Sequence, residues 1–216
     1  MNVAIIGTGN VGRALAASFT RAGHTVTLAS RDSEHAAAAA AATGARFAKT
    51  NSEAAEAAQV VVLAIPFAGV EAVAAEIRDA VTGKPVVDAT NRMSFGPNGP
   101  TIDNGDSNAD RLAAWLPNAH VVKAFNTLFA SHQADPIADG TQLDGFVAGD
   151  DRDAKDTVLE LVQSIGLNPV DVGPLARAQQ LEQIAFLNIA LNATANGSWT
   201  SGWRLVGAPT LALIAA

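Results

Sequence analysis

Four apolar residues, Val3-Ala4-Ile5-Ile6, run without interruption into Gly7-Thr8-Gly9-Asn10-Val11-Gly12. A parallel strand buried on both faces is continuously apolar, and the three glycines fall where such a strand would pass tightly into a helix. Gly7 admits the turn, Gly9 removes the Cβ that would hold a diphosphate off the backbone, and Gly12 lets the helix lie against the strand. The helix N-terminus then offers unpaired N–H groups and partial positive charge to phosphate. A tight turn with no ligand would use the same glycines. The strand before them and the helix opening among them favour a dinucleotide, with Gly7, Thr8, Gly9, Asn10, Val11 and Gly12 at its pyrophosphate.

Short apolar runs alternate with alanine-rich helical stretches along the rest of the chain, the pattern of βαβ units. The spacing predicts a helix over Val11–Ala22 and a strand over Thr25–Ala29. Asp32 or Ser33 caps a plain helix through seven alanines to Thr43-Gly44. Further strands are expected at Arg46–Ala48, Val60–Ile65, Pro85–Ala89, His120–Phe125, Gly145–Ala148 and Pro169–Val172. Helices are expected at Ser52–Ala58, Val70–Ala80, Ala109–Trp115, Ala154–Ile165 and Leu181–Asn192. Residues 92–108, rich in glycine, proline, asparagine and aspartate, read as the one long loop. The expected architecture is α/β, a Rossmann-type parallel sheet flanked by helices. Residues 1–175 would form the dinucleotide-binding domain and 176–216 a small C-terminal helical segment.

Composition removes several function classes. The net charge of −7 and the lack of a basic stripe argue against a nucleic-acid surface. With no cysteine, thiolate zinc sites, disulfides and cysteine nucleophiles are excluded. The histidines are scattered and no His-x-x-x-His occurs, so no metal site is expected. There is no basic-then-apolar leader, and the apolar Leu211–Ala216 tail is too short to span a bilayer. A cytoplasmic protein, off the membrane, is expected.

The second strand ends Ala29-Ser30-Arg31, where an NAD-preferring site usually carries Asp or Glu for the ribose. A hydroxyl and a guanidinium suit a 2′-phosphate instead, so NADP is the expected nucleotide, Ser30 and Arg31 its discriminators. The alternative leaves Arg31 in solvent and gives the ribose to Asp32. Acid–base machinery is scarce. Of four histidines only His132 follows the carboxyl end of a strand, and it reads more readily as an exposed loop residue; with no tyrosine, a Tyr–Lys pair is impossible. Polar groups do collect at strand ends: Asn91, Arg92, Lys123, Asn126 and Thr127. Amides orient planar carbonyl and N–H edges better than they move protons. Such a site suits hydride transfer between two redox cofactors, and no catalytic side chain is assigned.

The blocks Ile5-Ile6-Gly7-Thr8-Gly9-Asn10-Val11-Gly12, Ser30-Arg31, Val62-Leu63-Ala64-Ile65-Pro66, Asp88-Ala89-Thr90-Asn91, Val121-Val122-Lys123-Ala124-Phe125-Asn126-Thr127, Ala148-Gly149-Asp150-Asp151 and Asp171-Val172-Gly173-Pro174-Leu175 occur in that order. Together they resemble the NADPH-dependent coenzyme F420 reductase family, from residue 3 to about residue 192. The reductase domain of six-transmembrane metalloreductases, which passes hydride to a flavin, looks similar. The resemblance implies a dimeric Rossmann protein with NADPH across the glycine turn. Ala64, Ile65, Pro66, Ala89, Asn91 and Asn126 would meet the cofactors, and a deazaflavin or flavin would stack on the nicotinamide. Two departures stand out. Archaeal members carry further basic residues after the Ser-Arg pair, where this chain has Asp32 and His35, and a histidine in place of Asn126. The first weakens the 2′-phosphate pocket and leaves room for some NADH use.

Two other readings stay open on the residues alone. One is direct reduction of a small carbonyl or imine, disfavoured because residues 176–216 are too short for an all-helical substrate domain. The other is a non-enzymatic dinucleotide sensor. Trp199 and Trp203 could cover a planar ring, or serve packing or a dimer contact.

Overall fold

The computed structural model describes residues 1–96, 99–102, 105–194 and 197–207. The apolar Leu211–Ala216 tail lies outside them. The chain begins with β1 (Asn2–Ile6), α1 (Asn10–Arg21), β2 (Thr25–Ala29), α2 (Ser33–Thr43), β3 (Arg46–Phe47) and α3 (Asn51–Glu56). It continues through β4 (Val60–Leu63), α4 (Val70–Ile77), β5 (Pro85–Asp88), a hairpin of β6 (Met93–Gly96) and β7 (Gly99–Ile102), α5 (Asn108–Trp115) and β8 (His120–Lys123). Then come α6 (Ala130–Ala134), a second hairpin of β9 (Ile137–Ala138) and β10 (Thr141–Gln142), β11 (Asp144–Gly149), α7 (Arg152–Ser164), β12 (Asn168–Gly173) and α8 (Ala178–Thr194).

Eight strands form one sheet in the order β3-β2-β1-β4-β5-β8-β11-β12. The first six are parallel and reverse direction of winding between β1 and β4, the switch point at which such sheets hold ligands. The last two run the other way: β11 is antiparallel to β8 and parallel to β12. The sheet is therefore mostly, not wholly, parallel. Alternation explains the apolar runs. Val3 and Ile5 enter the core beneath α1, α2 and α7, while Ala4 and Ile6 enter the opposite core beneath α3, α4 and α5. Both faces are covered, so the central strands are apolar on both faces except where buried polar groups such as Asp88 and Lys123 find partners.

The alanine tract of α2 is held at its start by Asp32, whose carboxylate accepts the His35 N–H at 2.9 Å, and stops at Gly44 in the left-handed region (φ 70°). The expected loop over 92–108 is a correction. Met93 pairs with Ile102 and Ser94 with Thr101, so its described residues include a two-stranded hairpin. The polar, glycine-rich composition suited a loop and equally suits strands that leave the main sheet. Residues 97, 98, 103 and 104 of that stretch lie outside the described residues. No helix among the described residues is long and apolar enough to cross a membrane.

At the opposite end of the sheet, His24 joins three elements. Its Nδ1 accepts from the Met1 amino group at 3.2 Å and its Nε2–H donates to Ser164 Oγ at 2.9 Å; Ser164 in turn donates to the Leu161 carbonyl. Burial, then the nearby N-terminal charge, lowers its pKa below the ordinary 6.5. Below that value the unfolded chain binds the proton more readily than the folded one. His24 therefore stabilises the fold fully above 6.5, and this contribution is lost as pH falls toward its depressed folded pKa. Thermal melts at about pH 7.5 and 5.5 should show the wild type losing more stability on acidification than His24→Gln. Equal losses would contradict the assignment.

Candidate cofactor cleft at the strand carboxyl ends

The sheet register places Ala29, Ile6, Leu63, Asp88 and Lys123 side by side at the ends of β2, β1, β4, β5 and β8. The residues that follow them, Ser30, Gly7, Ala64, Ala89 and Ala124, therefore form one rim. Most of the residues singled out from sequence stand on it or at its edge.

Each glycine of the turn has a distinct environment. Gly7 adopts φ 121° and donates its N–H to Ala29 O at 2.9 Å; a Cβ there would run into the Ala64 carbonyl and the Ile65 side chain. Gly12, buried in α1, lies so close beneath the turn that a Cβ would strike the Gly7 carbonyl. Gly9 differs. It has φ −71°, which any residue adopts, and nothing within 4 Å of where its Cβ would stand. No side chain caps α1 at Gly9, which leaves its first-turn N–H groups to water or a ligand. The space and its donors fit a diphosphate.

On one side the rim opens into a cleft of about 240 Å³. Asn10 and Val11 from the turn, Ala89 and Asn91 after β5, and Asn126 after β8 line it together. These five sequence-identified residues come from three segments. Asn91 and Asn126 are locked to each other: Asn91 Nδ2 donates to the Asn126 carbonyl at 3.0 Å, and Asn126 Nδ2 donates to Asn91 Oδ1 at 2.9 Å. Asn126 Oδ1 is left buried without a partner. A buried amide oxygen without a donor is costly, and here it is suited to the N–H of a carboxamide or imide. Among the described residues that line the cleft there is no acid, base or nucleophilic thiol.

Sequence reasoning missed the far wall. Leu128 and Phe129 follow Thr127, and α8 adds Ala185, Asn188 and Ile189. The expected strand through Phe125 stops at Lys123, because Phe125 adopts φ 64°, which swings the chain out of the sheet. A non-glycine residue there costs about 1 kcal/mol or more. Its surroundings hold it: the Phe125 ring packs edge-on against Phe19 at 5.7 Å, and its carbonyl accepts from Gln133 Nε2 at 2.7 Å.

Below Asn91 lies a fully buried ion cluster. Lys123 Nζ donates to Asp88 Oδ2 at 2.8 Å, Thr90 O at 2.7 Å and Glu182 Oε1 at 2.6 Å. Asp88 Oδ1 also accepts from Thr90 N and Oγ1, and Glu182 accepts the Asn108 N–H at 2.8 Å and the Arg92 N–H at 3.4 Å. Asn108 Nδ2 bonds Thr90 Oγ1. Lys123 had read as a polar strand-end group; it ties β5, β8 and α8 together beneath the Asn91–Asn126 pair. Glu182 lies 59 residues from Lys123, and no local spacing could reveal it.

His132 is a further correction. It sits in α6, buried, with Nδ1 3.0 Å from Asp135 O and Nε2 2.6 Å from Thr200 O. It holds the C-terminal return rather than sitting exposed in a loop. Trp199 packs edge-on against Phe129 at 5.3 Å, at the margin of the cleft, while Trp203 packs with Phe146, Ala148 and Leu181. Ser30 and Arg31 line a second cavity of about 470 Å³ on the other side of the turn. Ser30 Oγ donates to Asp32 O at 2.8 Å, and Asp32 itself is committed as the cap of α2. Among the described residues no group of three or more His, Asp or Glu could hold a metal ion.

Residues 2–92 match the family described as NADP oxidoreductase, coenzyme F420-dependent. The chain is 34% identical over 229 residues to the F420-dependent NADP reductase of Methanothermobacter marburgensis, covering 97% of this chain and 100% of that protein. It is 31% identical over 188 residues to the metalloreductase STEAP3 of Rattus norvegicus, covering 84% of this chain but 36% of the longer protein. Among solved structures, a candidate F420-dependent NADP reductase from Arthrobacter sp. FB24 superimposes with a TM-score of 0.86 at 30% identity, covering 95% of this chain and 99% of that one. With a relative 34% identical and matched along its whole length, the chain belongs to the coenzyme F420-dependent NADP oxidoreductase family.

Proposed function

We propose that the chain transfers a hydride between NADPH and coenzyme F420. One observation carries this reading: a cleft that opens from the glycine turn, walled by asparagines and apolar side chains, with no acid or base among its lining residues. Reduction of a carbonyl or imine calls for a proton donor at the reacting atoms, and this cleft offers none. When bound, the two cofactors supply the redox chemistry themselves, one hydride leaving the dihydronicotinamide and one proton coming from water to complete the reduced deazaflavin.

The protein's part is binding, orientation and exclusion of water. The first-turn N–H groups of α1 take the diphosphate, and the bare Gly9 allows it to approach. Ala64 and Ile65 back the turn at Gly7, and Pro66 follows them at the edge of the rim. Asn91 and Asn126 hold planar edges, Asn126 Oδ1 accepting an N–H that no protein group supplies. Leu128, Phe129 and Ile189 keep water from the ring faces. Ser30 and Arg31 favour NADPH over NADH.

The same reading divides the chain into a nucleotide-binding part, 1–175, and a C-terminal part, 176–216, whose helix α8 closes the cleft. We further propose a cytoplasmic homodimer. Leu187 and Leu191 stand exposed one turn apart on α8, 48% and 56% accessible, with Trp199 nearby in sequence. Such a face is covered at low cost by a second copy.

Anaerobic NADPH oxidation with F420, with FMN or FAD, with a carbonyl panel and with no acceptor tests the function. Turnover should require the deazaflavin. Turnover with flavin alone would reassign the acceptor, and turnover with carbonyls alone would overturn the reading.

A further inference from the structure

The second cavity holds a cation that the Ser30-Arg31 pair does not explain. Arg31 enters it after β2, and Lys49 enters from the turn between β3 and α3, eighteen residues later in the chain. That turn is fixed. Thr50 Oγ1 caps α3 by accepting the Glu53 N–H at 3.1 Å, while Glu53 Oε2 accepts the Lys49 N–H at 2.9 Å. This reciprocal capping holds the Lys49 backbone in place. Among the described residues neither the Arg31 guanidinium nor the Lys49 ammonium has a carboxylate partner. One carboxylate, Glu76, lines the cavity and is taken by Asn51 Nδ2 at 2.5 Å. Two cations against one anion leave the cavity with a surplus of positive charge. Meanwhile the Ser30 hydroxyl proton is committed to the Asp32 carbonyl.

We propose that Lys49 is the second cation of a 2′-phosphate subsite formed with Arg31, and so a determinant of NADPH over NADH in this chain. The proposal rests on the NADPH-binding reading above. A 2′-phosphate carries close to two negative charges near neutral pH, and a single exposed guanidinium leaves much of that charge unmatched. Lys49 supplies from a different element the charge that Asp32 and His35 do not supply at the start of α2.

Calorimetric titration of the wild type, Lys49→Gln, Lys49→Arg and Arg31→Gln with NADPH and, separately, NADH tests it. Lys49→Gln should raise the Kd for NADPH about tenfold and move that for NADH less than about twofold; Lys49→Arg should keep the preference. Two results would overturn the proposal: equal weakening of both nucleotides, or an unchanged NADPH affinity in Lys49→Gln while Arg31→Gln loses it. Binding of neither nucleotide by the wild type would overturn the underlying reading as well, which separates the two failures.

Discussion

Replacing Gly9 with valine should cost NADPH affinity by roughly a hundredfold or more while leaving the melting temperature of the free protein within about 1 °C. The expectation follows from the contrast among the three glycines. At Gly9 the backbone is in a region open to any residue and a Cβ would meet no protein atom within 4 Å, so the free fold has room for a side chain there. The branched side chain would instead occupy the space in which main-chain N–H groups at the start of α1 meet a diphosphate. Those donors act only at contact distance, so loss of contact removes most of their contribution. Gly12→Ala should behave in the opposite way. Its Cβ would collide with the Gly7 carbonyl and destabilise the free protein itself. Paired calorimetry and thermal melts separate a binding defect from a folding defect. A Gly9→Val protein that binds NADPH normally would remove the turn from the nucleotide site.

Lys123→Met should be the most destabilising single change near the cleft, by about 3–5 kcal/mol. Lys123 is completely buried, and its three donors are matched by three acceptors. Taking the cation away leaves Asp88 and Glu182 facing each other out of contact with solvent. For a chain of this length the loss corresponds to a fall on the order of 10 °C in Tm. Adding Glu182→Gln should restore part of it, because one uncompensated charge is then gone. Turnover should fall further than stability explains, since Thr90 O accepts from Lys123 and Asn91 follows it directly in the chain. A melt shifted by less than about 1 °C would mean the cluster contributes little to the fold.

Much of this architecture could be read before the structure, for a physical reason. Strands buried on both faces must be continuously apolar, so Val3–Ile6 and Val60–Leu63 stand out from the helices around them. The glycine turn was legible because Gly7 and Gly12 answer steric requirements within six residues. The remainder depended on contacts distant in sequence. Nothing in Gly145–Ala148 states that β11 runs against β8, because direction is set by where the chain re-enters the sheet. Phe125 looked like one more strand residue, and only its packing on Phe19 and its bond from Gln133 hold the turn that presents Asn126. His132 looked like a surface residue because its acceptors are main-chain carbonyls, one of them 68 residues away. Lys49 belongs to no motif in the sequence and precedes a short helix. It became visible once β3 was seen beside β2, with Leu28 opposite Phe47.

Direct ring-to-ring hydride transfer is tested by single-turnover mixing under anaerobic conditions, with NADPH deuterated at the transferable C4 position and oxidised coenzyme F420. A cleft that only orients two rings should move the label intact from one carbon to the other. Stoichiometric loss of NADPH and of the oxidised deazaflavin is expected, with the deuterium recovered in the reduced deazaflavin and none in water. Label appearing in solvent, or NADPH left unoxidised by a protein that binds both cofactors, would contradict it.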